Sequence, residues 1–356
     1  MTKILIRTDA SNEIGMGHIN RCASLARHME DEGMEPLFVL KYFTDNVVEN
    51  YQKLGINIVL LEENCSLYCE AHFIIEHFAS QYSAIVFDFS HSQNIAIIQD
   101  YVLYFERLQH AFKATFLIDG FNETAIIDFI DPAVDVVITP YIGAVDHSPD
   151  QSKGYRHWIG PSYFIFAPEY TLENWQREVR SSVKHLLVTM GGSDPYELTL
   201  IVLDALKLLS IKIHCRVVTG PGFSDDLKKK VKKQRLSLPL CEIVDKPQNL
   251  VAQLKWAEMA VSASGLTKYE MALAGVPSLQ ISCNREMAET TAVYEKEGFY
   301  RDLGLYTELT PQRIVDELTI LVKDFKSRKN MIKRGQSLFY ESGIKHFLCA
   351  LKISDV

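Results

Sequence analysis

Short apolar runs alternate with amphipathic segments along the first half of the chain. The runs have the length and composition of buried parallel strands, and the segments between them have the apolar spacing of helices. Predicted strands cover residues 3–9, 36–40, 57–61, 84–88, 114–120, 135–139 and 158–160. Predicted helices cover residues 18–29, 46–54, 68–78 and 97–111. Strands separated by helices favour a parallel, right-handed, doubly wound sheet.

The same alternation restarts after a segment without sheet character. Predicted strands follow at 184–190, 213–218, 241–244, 259–262 and 278–282, with helices at 198–209, 225–234, 249–256 and 268–273. From Thr310 onward the pattern is helical and amphipathic. We therefore predict an N-terminal Rossmann-like domain over 1–165, a linker over 166–182, a C-terminal Rossmann-like domain over 183–309 and a helical tail over 310–356.

Composition narrows the class of protein without identifying it. A chain of 356 residues, 47% apolar and 23% charged, is long enough for two globular domains. A net charge of −8 disfavours nucleic acid as the main ligand, and no run of about 20 apolar residues predicts a transmembrane segment. Seven scattered cysteines without a Cys-x-x-Cys pair indicate reduced thiols in a cytoplasmic protein. We predict no metal and no cofactor, and the sequence leaves the oligomeric state open.

The first candidate site is the turn after the opening strand. Gly15 and Gly17 flank Met16, and His18 then opens a helix. Backbone N–H groups at such a helix start attract anions, and a histidine there can act as a general base near neutral pH. The alternative is a packed or capping histidine.

Two further turns in the second half show the same logic. Gly191 and Gly192 end a strand, and Ser193 is placed to cap the next helix; the alternative is an ordinary tight turn. The stronger candidate is the helix start formed by Ser264, Gly265, Leu266 and Thr267.

The acid of that second helix start is Glu270, about one turn into the helix. A carboxylate so placed can accept two hydrogen bonds from a ribose diol, while small residues before it let backbone N–H groups hold a diphosphate. The alternative is a capped helix with a surface acid. Lys246 and Lys268 lie nearby and are expected to face solvent.

Three segments, taken in order, resemble one enzyme family. They are RTDASNEIGMGHINRC (7–22), MGGSDPYELT (190–199) and SASGLTKYEMALAGVPSLQIS (262–282), and they resemble the PseG/SpsG family of nucleotide-sugar hydrolases. The resemblance extends over most of residues 3–305. It implies the GT-B architecture of the related MurG-type glycosyltransferases: two Rossmann-like domains facing across a cleft that holds a UDP-sugar.

The resemblance also assigns roles to residues. His18 matches the catalytic histidine that activates water, and Glu270 matches the ribose-binding glutamate. Residues 264–267 match the phosphate-binding turn, and Val244 with the two residues after it matches the region that cradles the base. Apart from the resemblance, Asp88 and Asp119 end strands at the predicted ligand edge, so either can orient His18 or bind a sugar hydroxyl; the alternative is that they only cap the next turn.

The chain departs from the family pattern on the sugar side. Ser90 stands where an aromatic hydroxyl is expected, and Asn284 and Arg285 replace the usual Asn-Gln pair. An arginine there favours a more anionic sugar or acceptor, or a contact with phosphate. His91, next to Ser90, is either a second base or an ordinary loop histidine.

The leading functional hypothesis is therefore inverting hydrolysis of a UDP-linked deoxy-amino sugar, of the UDP-2,4-diacetamido-2,4,6-trideoxy-altropyranose type, with His18 as general base. The first alternative is a GT-B glycosyltransferase that moves the sugar to an acceptor hydroxyl. The second is a non-catalytic nucleotide-sugar binding protein on the same scaffold.

Overall fold

The chain forms two compact units, each built around a parallel sheet. The structure is a computed structural model that describes residues 2–11, 16–89, 99–120, 125–141, 153–170, 175, 177, 179–247, 249–339 and 343–353. Unit 1 comprises residues 1–168 and 341–356, and unit 2 comprises residues 169–340.

The sheet of unit 1 has seven strands in the part that the structure describes. Its order is β3-β2-β1-β4-β5-β6-β7, and all neighbouring strands are parallel. The strands are β1 (Lys3–Ala10), β2 (Glu35–Phe43), β3 (Ile58–Leu60), β4 (Ala84–Asp88), β5 (Ala114–Ile118), β6 (Val136–Thr139) and β7 (Arg156–Ile159). The helices are α1 (Gly17–Asp31), α2 (Asp45–Lys53), α3 (Leu67–Phe78) and α4 (Asp100–Ala111).

Both faces of this sheet are covered by helices, which explains why residues 4–6 of β1 and residues 84–87 of β4 form unbroken apolar runs. Ile4 and Ile6 of β1 belong to the core on the α1 side, whereas Leu5 between them belongs to the core on the side of α3 and α4. Successive side chains of a strand point to opposite faces, so a strand covered on both sides has no polar positions to spare.

Unit 2 has a six-stranded parallel sheet among its described residues. The order is β10-β9-β8-β11-β12-β13. The strands are β8 (His185–Thr189), β9 (His214–Thr219), β10 (Cys241–Asp245), β11 (Met259–Ala263), β12 (Ser278–Ser282) and β13 (Arg301–Leu305). The helices are α5 (Leu198–Leu208), α6 (Asp225–Arg235), α7 (Val251–Trp256), α8 (Thr267–Leu273), α9 (Arg285–Tyr294), α10 (Pro311–Lys323) and α11 (Phe325–Ser337).

The C-terminal helices are divided between the two units. The predicted tail over 310–356 begins with α10 and α11, which belong to unit 2, and continues with α12 (Gly343–Ile353), which belongs to unit 1. Phe347, Leu348 and Leu351 of α12 are buried in the same core as Ile4 and Ile6. The last helix therefore completes the N-terminal unit.

Two elements of unit 2 were not predicted from the sequence. Helix α9 and strand β13 fill residues 285–305, after the strand that we expected to be the last of the sheet. Strand β13 reads RDLGL, and only Leu303 of it is buried. A short strand at the edge of the sheet carries little of the apolar signal on which such predictions depend.

Candidate functional site

In unit 1, the elements next to the predicted histidine turn lie where ligands bind in open parallel sheets. Ligands bind beyond the carboxyl ends of the strands, at the point where the strand order reverses. That point lies between β1, from which the chain passes outward to β2 and β3, and β4, to which it returns. Helix α1 begins at Gly17 after β1, and Asp88 is the last residue of β4.

The structure brings His18 and Asp88 together at this point. His18 Nδ1 lies 2.7 Å from Asp88 Oδ1, although the residues are 70 positions apart. The Asp88 side chain is fully buried, and that of His18 is 28% exposed. When Nδ1 donates its proton to Asp88, Nε2 is left without one, and it meets no hydrogen-bond partner among the described residues. The pair therefore has the arrangement of an oriented general base.

A buried arginine holds the charge of Asp88. Arg21 donates from Nε to Asp88 Oδ2 at 2.7 Å and from Nη2 to Asp88 Oδ1 at 2.6 Å. Burial alone would raise the pKa of Asp88, but the charge and hydrogen bonds of Arg21, together with those of His18, lower it to about 2. Asp88 is thus a fixed anion at every physiological pH.

Arg21 was not singled out from the sequence, although a signal was present. It follows His18 by three residues on α1, and residues at that spacing lie on the same side of a helix. Arg21 also donates from Nη1 to the hydroxyl of Tyr141 at 2.6 Å, so that it joins α1 to the segment after β6. Cys22 adds a weak contact, with its sulfur 3.5 Å from Asp88 Oδ2.

Of the two strand-end acids, Asp88 contacts the histidine and Asp119 has other partners. The Asp119 carboxylate accepts backbone N–H groups of Gly120, Ile126 and Ile127 at 2.8, 2.9 and 3.1 Å. Burial raises its pKa to about 7 despite these bonds. The partners of the Asp119 carboxylate are therefore backbone groups that follow its own strand. Gly15, Ser90 and His91 lie outside the described residues.

In unit 2, the two predicted turns follow neighbouring strands at the corresponding reversal, between β8 and β11. Gly191 follows β8 with a φ of +74°, a value that glycine adopts without strain. The carbonyl oxygen of Gly192 accepts the N–H of Gly222 at 2.9 Å. A Cβ on Gly220 would lie 2.3 Å from the same oxygen. The loops after β8 and β9 thus touch backbone to backbone.

The expected cap at Ser193 is wrong. Asp194 caps α5 instead, because its carboxylate accepts the N–H groups of Leu198 and Thr199 at 2.8 and 2.9 Å. Asp194 reaches them from a left-handed backbone conformation, with a φ of 43°. A carboxylate accepts two backbone N–H groups at once, which a serine hydroxyl cannot do as well.

In the helix start after β11, Ser264 is held by a side-chain hydrogen bond and Gly265 faces open space. Ser264 Oγ lies 2.5 Å from Thr291 Oγ1 of α9, and both residues are buried. Gly265 is open: a Cβ placed on it would meet nothing within 4 Å. Leu266 and Thr267 follow, and α8 starts at Thr267. The backbone at Gly265 is therefore accessible to a ligand.

The acid and the lysine of α8 have unusual environments. Glu270 is partly buried. Burial raises its pKa to about 7, although side-chain hydrogen bonds with Tyr170 and Thr267 lower it. The expectation that Lys268 faces solvent is wrong, because its exposed fraction is only 8%. Burial lowers its pKa to about 8, although the nearby charge of Asp302 raises it. Lys246 is exposed, as expected.

The remaining predicted residues are spread along the same edge. Val244 lies in β10, two strands from the reversal, and the next residue, Asp245, accepts the Thr219 hydroxyl at 2.7 Å. Asn284 caps α9 by accepting the N–H of Met287 at 2.7 Å. Arg285 is the exposed first residue of that helix.

Within the described part of the chain, no three His, Cys, Asp or Glu side chains are grouped so that they could bind a metal ion. Nor does any described helix combine the length and the apolar character needed to cross a membrane.

Sequence comparison finds distant relatives, and no family model matches the chain. SpsG of Bacillus subtilis, a spore coat polysaccharide biosynthesis protein, is 23% identical over 210 residues, 59% of this chain and 62% of that protein. The pseudaminic acid cytidylyltransferase and UDP-2,4-diacetamido-2,4,6-trideoxy-beta-L-altropyranose hydrolase of Helicobacter pylori is 22% identical over 342 residues, 94% of this chain and 53% of that protein.

An uncharacterized protein of Methanocaldococcus jannaschii is 23% identical over 319 residues, 84% of this chain and 62% of that protein. The chain thus spans 53% to 62% of the lengths of these three relatives. The expected resemblance to PseG/SpsG proteins is confirmed as a similarity at low identity.

Solved structures show the fold. MurG of Acinetobacter baumannii superposes with a TM-score of 0.66 at 11% identity, over 99% of this chain and 100% of that one. The spinosyn rhamnosyltransferase SpnG gives 0.64 at 12% identity, over 99% and 100%. Anabaena HepE in complex with UDP-glucose gives 0.58 at 11% identity, over 100% of both chains. The chain has the GT-B fold, as predicted.

Proposed function

We propose that the chain is an inverting hydrolase of a UDP-linked deoxy-amino sugar. The observation that carries the proposal is the contact between His18 Nδ1 and Asp88 Oδ1 at 2.7 Å, with Asp88 kept ionised by Arg21. A protein that only binds a nucleotide-sugar has no need of an imidazole oriented by a buried anion. The HepE structures with UDP-glucose and UDP, and the UDP-sugar hydrolase named among the relatives, support a UDP-sugar as the ligand class.

In the proposed reaction, a water oxygen attacks the anomeric carbon, and the bond from that carbon to the diphosphate oxygen breaks. His18 Nε2 takes a proton from the water, and UDP departs with the electron pair. Attack from the face opposite the leaving group inverts the configuration. The product is the free sugar, with a hydroxyl group on its anomeric carbon, and His18 then releases its proton to solvent.

The nucleotide is assigned to unit 2 in this proposal. In the turn at residues 264–267, the N–H groups of Ser264 and Gly265 already donate to the carbonyl oxygens of Ile281 and Ala263 at 2.8 Å. We therefore assign the stabilisation of the negative charge on the leaving diphosphate to the backbone N–H groups of Leu266 and Thr267. Glu270 accepts hydrogen bonds from the ribose diol, and Gly191, Gly192 and Ser193 line the neighbouring turn. Val244 is assigned to the base, and Asn284 and Arg285 to the sugar or phosphate side.

Glycosyl transfer is the second candidate, favoured by the likeness to the rhamnosyltransferase SpnG. The same oriented base would then deprotonate an acceptor hydroxyl in place of water. The two reactions differ in one observable, because hydrolysis releases UDP without any acceptor.

The test is nucleotide release from a panel of UDP-, CMP-, GDP- and dTDP-sugars that includes UDP-2,4-diacetamido-2,4,6-trideoxy-altropyranose. We expect release from UDP-linked amino sugars in buffer alone, and NMR of the first product should show the anomer opposite to that of the substrate. Release that depends on an added acceptor would make the protein a transferase. Binding without release from any donor would leave only a binding function.

A further inference from the structure

One oxygen of Asp88 serves two positively polarised partners. Oδ1 lies 2.7 Å from His18 Nδ1 and 2.6 Å from Arg21 Nη2, while Oδ2 accepts Arg21 Nε at 2.7 Å. Arg21 and Asp88 are 4% and 0% exposed, so little water screens the interaction between these two charges. The charge of Asp88 is therefore divided between a permanent cation and an imidazole.

We infer that Arg21 is a positioning residue that keeps the His18–Asp88 pair from taking up an extra proton, so that His18 Nε2 stays an acceptor at neutral pH. This inference rests on the proposed function for its catalytic meaning, but the proton balance of the pair is a property of the free protein.

The physical reason is a competition for the Asp88 charge. A carboxylate next to an imidazole favours its protonated form, and an opposite charge within about 4–6 Å shifts a titration by about one to three pH units. Arg21 neutralises most of that charge, and it also repels a proton from the imidazole. Without Arg21, the uncompensated charge of Asp88 would favour the protonated imidazole, in which Nε2 carries a proton and is no longer an acceptor.

The other groups around the pair do not supply the missing charge. From α1 itself, Cys22 faces Asp88, and burial and Asp88 raise the pKa of its thiol well above the usual range. From the segment after β6, the Tyr141 hydroxyl contacts Arg21. The Cys22 thiol therefore carries no charge at neutral pH, and a phenol cannot supply a cation. Among the described residues that touch the pair, Arg21 is the permanent cation.

Arg21 also fixes geometry. Its two parallel N–H donors match the two carboxylate oxygens, an arrangement that lysine cannot reproduce with its single ammonium group. Charge and geometry can therefore be separated by substitution. Arg21→Lys keeps the charge and loses the fork, and Arg21→Gln loses both.

The experiment is an NMR titration of the His18 ring in the full-length protein, with the signal assigned by its loss in His18→Gln. In Arg21→Gln the midpoint of the titration should rise by about one to two pH units over that of the unmodified chain. In Arg21→Lys it should stay within about half a unit. Exposed His72, on α3, serves as the reference that should not move.

Activity provides the second readout. In Arg21→Gln, UDP release at neutral pH should fall about tenfold or more and recover as the pH is raised, whereas in Arg21→Lys kcat should fall at every pH. Arg21→Met fills the same buried space without a charge, so it replaces the glutamine variant if that one does not fold. An unmoved midpoint in a folded, uncharged variant would overturn the inference. Absence of UDP release from the unmodified chain would overturn the proposed function alone.

Discussion

Asp88 of unit 1 and Glu270 of unit 2 are two acids whose pKa values shift in opposite directions. In unit 1, Asp88 is fully buried, yet its pKa lies near 2 because Arg21 and His18 balance it against the effect of burial. In unit 2, burial dominates: it raises the pKa of Glu270 to about 7 and lowers that of Lys268 to about 8. Asp88 is thus paired with a cation of the protein, whereas the partners of Glu270 are the uncharged side chains of Tyr170 and Thr267.

This difference fits the roles that we propose, a catalytic one for His18 and Asp88 and a binding one for Glu270. A general base needs a fixed orientation and a constant protonation state before substrate arrives, and partners from the protein provide both. A binding site for an anionic, hydroxyl-rich ligand can instead leave its acid and its backbone N–H groups to be satisfied by that ligand. We therefore expect substitutions in unit 1 to change turnover and substitutions in unit 2 to change affinity.

The largest expected effect comes from substitution of His18, the proposed base. His18→Gln should lower kcat for UDP release by about 10²- to 10⁴-fold, the usual contribution of a general base, while UDP affinity stays near that of the unmodified chain. Turnover is measured by UDP release and affinity by calorimetry. His72→Gln, on the exposed surface of α3, is the matched control that should change neither.

Unchanged turnover in His18→Gln would remove the imidazole from the reaction. A parallel loss of UDP affinity would break the proposed division of labour between the two edges.

The next effect concerns Glu270 and depends on pH. Glu270→Ala should weaken binding of UDP-glucose by about 1–3 kcal/mol, the cost of losing hydrogen bonds to a charged group. Because burial raises the pKa of Glu270 to about 7, the free protein holds a neutral acid below that pH and a carboxylate above it. The ribose diol needs the carboxylate, so affinity should rise as the pH increases through 7.

The measurement is a series of calorimetric titrations between pH 5.5 and pH 8.5, about 1.5 units either side of that pKa, in the His18→Gln background, where the substrate is not consumed. UDP-glucose is preferred to UDP because the terminal phosphate of UDP itself titrates near pH 6, by analogy with other phosphate monoesters. Glu270→Gln should bind weakly and without the pH dependence. Glu308→Gln, at an exposed acid of the same unit, should behave as the unmodified chain. Persistence of the pH dependence in Glu270→Gln would assign it to another group.

Most strands and helices, and the alternating fold that they form, could be predicted from the sequence. Strands that are buried on both faces contain unbroken apolar runs, such as residues 4–6 of β1 and residues 84–87 of β4, so their positions and the alternating fold were predictable. The strand-end position of Asp88 followed from the same pattern. Its contact with His18, 70 residues away, was one of two options that the sequence left open, and the packing of α1 on the sheet decides between them.

Features that depend on packing were out of reach. The burial of Lys268 depends on its surroundings in unit 2, where Asp302 of the unpredicted strand β13 acts on its charge. Helix α12 packs on the core of unit 1. Its amphipathic sequence predicts an apolar face, but it does not indicate which of the two cores that face contacts. Arg21 pairs with a residue 67 positions away, so its spacing from His18 was the only local sign of its role.

The smallest expected effect tests how closely a ligand approaches the backbone of unit 2. A Cβ on Gly265 would meet nothing within 4 Å, so Gly265→Ala should leave the free energy of unfolding unchanged or slightly higher. If the diphosphate lies against this turn, the same methyl group should weaken UDP binding by about 1 kcal/mol, roughly fivefold. Gly220→Ala is the opposite case, because its Cβ would lie 2.3 Å from the Gly192 carbonyl oxygen, so it should lower stability first. Thermal unfolding and UDP titration of both variants separate the two effects, and normal UDP affinity in Gly265→Ala would move the diphosphate away from this turn.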